Sequence, residues 1–269
     1  MRRTPAGSTI TQRIVLAAGS PSLELAHQID WHERQKLLKL AFPLDVQADR
    51  SAAETQFGHV FRPTHTNTSW EAARFEICAH RWIHVAEPGF GVAIANDRTY
   101  GHDVTTAART DDGGAKAITT VRLSLLRAPL YPDPDADQGA HVFHTSLTPA
   151  ADIAAAVRSG YEINLPPRTV PGTRDVAPLV TSANPAVVVE AVKLAEDRSG
   201  DVIVRLYESL GARSRTSVTA GFAASSATVT DLLERAVEPT STRPSRVPGG
   251  SVDLTFRPFE IVTVRFARG

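Results

Sequence analysis

Residues 57–104 read FGHVFRPTHTNTSWEAARFEICAHRWIHVAEPGFGVAIANDRTYGHDV, and the way this stretch alternates decides the fold class. Between 74 and 85, Phe75, Ile77, Ala79, Ile83 and Val85 share one face, with Arg81 the exception. Glu76, Cys78, His80, Trp82 and His84 share the other. A period of two sustained over that length predicts a half-buried strand, not a helix. Pro88-Gly89 then supplies a turn, 91–95 a second apolar run, and Asn96-Asp97 another turn before Thr99-Tyr100. The stretch reads as a meander of long strands, preceded by a polar loop over 62–69.

The same pattern extends outward. Strands are predicted over 9–17 and 23–29, joined by Gly19-Ser20-Pro21-Ser22. Another runs over 36–40 and on through Phe42, Leu44 and Val46, where Pro43 argues for an edge or a bend. Asp111-Asp112-Gly113-Gly114 reads as a flexible loop, followed by strands over 118–126 and 140–147. Thr148-Pro149 reads as an N-cap with the first helical position and Gly160 as the C′ residue, which predicts a helix over 150–159. A proline-rich connection follows. Strands resume over 187–194, 201–209, 214–222, 251–256 and 260–266, while 230–237 fits a helical turn or a strand and 239–250 a loop. Many short strands and few helices predict a mainly β protein. Its expected parts are a large sandwich over 1–165, the connection 166–186 and a second sandwich over 187–269.

Composition narrows the function classes. The chain has 269 residues, 42% hydrophobic and 22% charged, which suits a globular protein with a real core. Its 29 basic and 29 acidic residues cancel, so no footprint for nucleic acid or an anionic membrane is expected. No run approaches the roughly 18 apolar residues of a membrane-spanning helix. Met1-Arg2-Arg3 is basic, but 4–12 is polar, so no signal peptide is expected and the setting reads as cytoplasmic. The single cysteine, Cys78, excludes an internal disulfide framework and a cysteine zinc site, and it reads as a small buried hydrophobe. A strand pattern (Ile10, Gln12, Ile14, Leu16) begins almost at once, as expected of a chain cut from something longer.

Few constellations suggest chemistry. His80 and His84 would present both rings to one metal on a helix, but on a strand they stand roughly 13 Å apart. His141 and His144 would face opposite sides of a strand. Asp133, Asp135 and Asp137 have calcium-loop spacing, yet position twelve is His144 rather than Glu, and Pro132 and Pro134 restrict the backbone. An EF-hand is excluded, and an irregular calcium site stays open. Glu33, Glu54, Glu71, Glu76 and Glu87 offer carboxylates, but no spacing sets two of them about 5 Å apart as retaining glycoside hydrolysis requires. There is no phosphate-cradling glycine loop and no Gly-x-Ser-x-Gly elbow. No catalytic residue and no metal ligand is therefore assigned in this chain. The loop 62–70, with His65, Asn67, three threonines and Trp70, suits a sugar-lining loop or, by preference, an inter-domain packing surface.

Five motifs carry a resemblance. They are Ile29-Asp30-Trp31-His32-Glu33 with Leu37-Leu38-Lys39 and Phe42-Pro43; Phe57-Gly58, Arg62-Pro63-Thr64-His65, Asn67-Thr68, Trp70 and Phe75-Glu76; Leu123-Ser124-Leu125-Leu126-Arg127-Ala128-Pro129 with Pro132-Asp133 and Asp137-Gln138-Gly139; Val204-Arg205-Leu206-Tyr207-Glu208; and Phe256-Arg257-Pro258-Phe259-Glu260-Ile261. Together they resemble glycoside hydrolase family 38, the α-mannosidases, over nearly the whole chain.

The resemblance implies the portion that follows the catalytic barrel: a large mutarotase-like β-sandwich, or supersandwich, then a small C-terminal β-sandwich. The complete enzyme would hydrolyse terminal α-mannosidic bonds with retention. Its zinc and its nucleophilic Asp belong to the barrel, outside these residues, so this chain is expected to hold no cofactor. Its implied partners are its own barrel and a mannose-containing oligosaccharide, with a homo-oligomer left open. The loop before the family's next strand projects toward the sugar cleft, which implicates Arg127, Asp135, Asp137 and Gln138 as contacts to sugar hydroxyls. Here the family's Asp-Asp-x-Arg-Gly is replaced by Asp-Ala-Asp-Gln-Gly, and a solvated turn with local Asx bonds is the other reading. The alternative function is a free-standing carbohydrate-binding sandwich. Only 6% of residues are aromatic, however, and Trp31, Trp70 and Trp82 look partly buried by pattern. A stand-alone aldose-epimerase-like enzyme would need a His/Glu pair that nothing in the sequence selects.

Overall fold

The computed structural model describes residues 2–4, 6–111, 114–238 and 246–268. The expected loop residues Asp112 and Gly113, and 239–245 of the loop 239–250, lie outside the described residues. Strands β1 (Arg2–Arg3), β2 (Thr9–Val15), β3 (Leu23–Trp31), β4 (Leu38–Leu44), β5 (Arg50–Thr55) and β6 (Gly58–Pro63) precede helix α1 (Ser69–Ala72). Then come β7 (Ile77–Cys78), β8 (Trp82–Glu87), β9 (Phe90–Asn96), β10 (Gly101–Asp111), β11 (Gly114–Leu126), β12 (Gly139–Pro149) and helix α2 (Ile153–Asn164). The remainder is β13 (Val180–Ser182), β14 (Val187–Leu194), β15 (Val202–Glu208), β16 (Ser214–Ala220), β17 (Ser226–Thr230), β18 (Val247–Pro248), β19 (Ser251–Phe256) and β20 (Ile261–Ala267). The chain divides into two compact units, residues 1–56 with 60–168 and residues 57–59 with 169–269.

The first unit is a sandwich of an eight-stranded sheet, β1-β2-β3-β12-β9-β8-β5-β6, and a four-stranded sheet, β4-β11-β10-β7. Alternation supplies the core. Ile83, Val85, Val92 and Ile94 from the larger sheet meet Val104, Val121 and Leu123 from the smaller, each such side chain contributing about 1.5–3 kcal/mol on burial. A second cluster gathers Ile29, Trp31, Leu126, Ala128 and Phe143. Pro43 sits on β4, an edge strand, where its missing N–H costs no ladder bond.

The long strand expected over 74–85 is instead two short strands in different sheets. β7 pairs with β10 in the four-stranded sheet, and β8 pairs with β5 and β9 in the other. Between them the backbone changes partners within three residues: Ala79 N–H donates to the Tyr100 carbonyl, His80 N–H to the Glu54 carbonyl, and Arg81 N–H to the Glu54 carboxylate. Arg81, the residue that breaks the alternation, marks the crossing. Three expected placements change with it. Cys78 is exposed rather than a buried hydrophobe, Phe75 is exposed, and Trp70, on the short capped helix α1, is 80% exposed. Trp31 and Trp82 are buried.

β8 is buried on both faces because α2 lies against the outer face of the larger sheet, touching β8, β9 and β12. The expected helix over 150–159 is displaced. Thr148 and Pro149 still pair with β9 as the end of β12, and the cap is Asp152, whose carboxylate accepts the Ala155 N–H at 2.7 Å. Gly160 is not a terminal glycine but an interior one, buried on the sheet-facing side. A Cβ there would stand 2.7 Å from Trp82 Cδ1, closer than any carbon contact allows.

The second unit is a smaller sandwich of sheets β13-β16-β19 and β14-β15-β20-β17-β18. Val204, Leu206, Val264 and Phe266 of one meet Val218, Leu254 and Phe256 of the other. Residues 231–235 form a turn in which Asp231 accepts the Leu233 and Arg235 N–H groups. β17 precedes it and was not evident from periodicity. Glu208, fully buried, has its carboxylate hydrogen-bonded by the N–H groups of Leu210, Gly211, Ala212 and Phe259 at 2.9–3.1 Å.

Gly160→Ala separates packing from propensity. In an exposed helix the change stabilises by about 1 kcal/mol, whereas against Trp82 it is expected to destabilise by about 1–3 kcal/mol. Urea unfolding followed by circular dichroism measures the sign, and a raised midpoint would contradict the close contact.

Candidate functional site

Two loops of the first unit meet where the sequence placed its candidate sugar contacts. One joins β3 to β4 and carries Glu33, Arg34 and Gln35, and the other joins β11 to β12 across 127–138. The Gln35 N–H donates to the Ala128 carbonyl at 2.8 Å, and Gln138 Nε2 donates to the Glu33 carbonyl at 2.9 Å. Arg34 donates to the Pro134 carbonyl and, at 2.7 Å, to Asp135 Oδ1. Glu33 accepts from the Thr4 hydroxyl and the Ala6 N–H, which hold its carboxyl below the usual glutamate range.

Asp137 closes the longer loop on itself. Its Oδ2 accepts the backbone N–H groups of Arg127 at 2.7 Å and Ala128 at 2.8 Å. Its own backbone is left-handed, with φ of 63°, a conformation that Asp tolerates better than most residues. The Asp137 carbonyl contacts His141 Nε2 at 2.9 Å. Asp133 Oδ1 accepts the Asp135 N–H at 2.9 Å, an Asx turn.

The four candidates therefore differ in what they present. Asp137 and Gln138 are half-buried and fasten the loop, whereas the Arg127 side chain and Asp135 are exposed. Tyr131, at the tip, is 87% exposed. Arg34 and Tyr131 complete the surface and were not among the sequence candidates. Arg34 meets its partner across 101 residues, so no local spacing could have revealed it. Among the described residues no group of three or more His, Cys, Asp and Glu could hold a metal ion. Such a surface can donate to and accept from hydroxyl groups. It sets up no nucleophile and no acid–base pair.

A second exposed feature lies on the other side of the sequence. Thr64 is anchored by its hydroxyl to the Ala48 carbonyl at 2.6 Å, and α1 is closed by a reciprocal Thr68–Glu71 capping box. Trp70 on α1 and Phe75 just after it are 80% and 83% exposed.

Asp137→Ala removes one acceptor from two N–H groups, for an expected loss of about 1–3 kcal/mol. Chemical denaturation measures the loss, and limited proteolysis should cut the variant faster within 127–138. Unchanged stability and cleavage would show that the carboxylate does not hold the loop.

Residues 1–135 match the glycosyl hydrolases family 38 C-terminal domain, and residues 186–264 match the family's C-terminal beta sandwich domain. Alpha-mannosidase 2C1 of Homo sapiens is 37% identical over 268 residues, covering 96% of this chain and 24% of its own length. Alpha-mannosidase of Saccharomyces cerevisiae is 32% identical, covering 88% of this chain and 23% of its own. The crystal structure of an alpha-mannosidase from Enterococcus faecalis shares the fold, with a TM-score of 0.73 at 21% identity, over 96% of this chain and 28% of that one. The chain thus spans about a quarter of the length of the curated relatives it matches. With one family profile covering half of the chain and a second covering most of its last third, the chain belongs to glycosyl hydrolase family 38 and corresponds to its C-terminal region.

Proposed function

We propose that the chain is the supporting, non-catalytic portion of an α-mannosidase that hydrolyses terminal α-mannosidic bonds with retention. The observation that carries this reading is 37% identity to a named α-mannosidase across 96% of the chain, confined to 24% of that relative. The rest of such a protein is where the catalytic barrel, its zinc and its nucleophile belong.

Trp70 and Phe75 suit a surface that packs on the barrel, since large rings at more than three-quarters exposure gain most from being covered. The loop 127–138 suits the wall of the sugar cleft, with Arg127 and Asp135 offering a donor and an acceptor to hexose hydroxyls and Asp137 and Gln138 fixing their placement. A cytoplasmic setting fits a chain with one cysteine.

The free-standing carbohydrate-binding reading retains one observation in its favour, the exposed Trp70 as a stacking platform. Trp31 and Trp82 are buried and offer none.

Hydrolysis of an aryl α-mannoside with zinc present tests the proposal. The parent protein is expected to turn over the α-mannoside, and the 269-residue chain alone is expected to show no turnover. Zinc-dependent hydrolysis by the chain alone, or a parent inactive on every α-mannoside, would overturn it.

A further inference from the structure

A cavity of about 540 Å³ opens on the outer face of the eight-stranded sheet, between β2, β3, β12 and the C-terminal half of α2. That volume lies within the roughly 300–1,000 Å³ of small-molecule pockets. Its position follows from the register. Ser146 pairs with Glu24 and His144 with Ala26, and alternation puts Ser146 on the same face as Thr148, which bonds to Ser159 of α2.

The base of this region is lined with hydroxyls. Ser22 Oγ lies 2.7 Å from Thr148 Oγ1, which lies 3.0 Å from Ser159 Oγ, so three buried hydroxyls from the turn before β3, the end of β12 and the helix form a chain. Ser146 is 6% exposed, lines the cavity, and its Oγ has no hydrogen-bond partner. A buried hydroxyl without a partner costs about 1–3 kcal/mol, and buried polar groups are as a rule satisfied. Exposed Arg13, Glu24 and Glu162 add a guanidinium and two carboxylates around the opening, and none of them forms an ion pair among the described residues. The apolar remainder includes Ile163 and Pro167.

We propose that this cavity is a second binding site, for a small uncharged polyol of the monosaccharide class, which donates to and accepts from Ser146 and is gripped at the rim by Glu24, Glu162 and Arg13. Hydroxyls at the base and both charge types at the rim match a ring that presents donors and acceptors on every side. The apolar wall receives its C–H face. An anion would meet two carboxylates, and a hydrocarbon would leave the Ser146 hydroxyl unpaired. The site lies entirely within the first unit and would bind its ligand whatever reaction the parent protein performs.

The test is titration of the full chain, isotope-labelled for amide NMR, with D-mannose, D-glucose and glycerol in turn. Saturable shifts of the Glu24, Ser146 and Ser159 amides with a hexose are expected. Ser146→Ala, which removes only the hydroxyl, should weaken that binding about tenfold, and Glu162→Gln should weaken it while leaving the unfolding midpoint unchanged. No saturable shift with any of the three polyols, shifts confined to other residues such as 127–138, or Ser146→Ala binding as tightly as the unaltered chain would each overturn the assignment. Shifts at 127–138 alone would leave the α-mannosidase reading standing while removing this site.

Discussion

Glu54 and Arg81 hold the point at which the chain leaves one sheet of the first unit for the other. The Glu54 carboxylate, 4% exposed, accepts from the Arg81 backbone N–H at 2.5 Å and from its guanidinium at 2.9 and 2.6 Å. A buried carboxylate with fewer partners would be strongly disfavoured, so the pair has to form as a unit. Burial pulls the Arg81 pKa down, but the hydrogen bonds and charge of Glu54 outweigh it and the guanidinium stays charged. The same guanidinium lies 4.0 Å over the Tyr161 ring on α2. One side chain thus fastens β5, the entry to β8 and the helix that covers β8. Asn96 completes the junction: its side-chain amide donates to the His80 carbonyl, and its own carbonyl accepts from Asn164 of α2. The outer cavity exists because α2 is held there.

Charged residues in the shared motifs serve backbone more often than chemistry. Glu208, in one of the two motifs of the second unit, satisfies four N–H groups from the turns after β15 and before β20. Glu260, in the other, accepts the Arg257 N–H at 2.7 Å while its own N–H returns to the Arg257 carbonyl. Asp137 repeats the device in the first unit, and so, outside the motifs, does Glu71, whose carboxylate accepts the Thr68 N–H. Such acceptors restrain turns, since a hydrogen bond to an ionised carboxylate is shorter and stronger than one between neutral groups.

What the sequence revealed and what it concealed differ in range. Alternation along β3, where Leu25, His27, Ile29 and Trp31 are all buried, is local and was legible. So were the edge position of Pro43 and most strands of the second unit. The crossing at 79–81 was not, because it depends on Glu54, and the alternation simply continues from one sheet into the next. Thr148-Pro149 carries the chemistry of a helix start, but pairing with Ala93 and Val92 keeps it in a strand, and Asp152 takes the cap. Gly160 looks terminal only until Trp82 is brought against it. In the candidate site, Arg127 and Asp135 are exposed, while the clasp made by Asp137 is a tertiary fact with no signature of its own.

The central claim is that this chain supports a catalytic partner within the parent protein through a face bearing Trp70 and Phe75. Sedimentation of the chain with the separately produced N-terminal remainder of the parent tests it most directly. A one-to-one complex is expected, weakened at least tenfold when Trp70 and Phe75 are both changed to serine in a chain that still unfolds at its normal midpoint. Absence of a complex, or one indifferent to the two substitutions, would contradict the account.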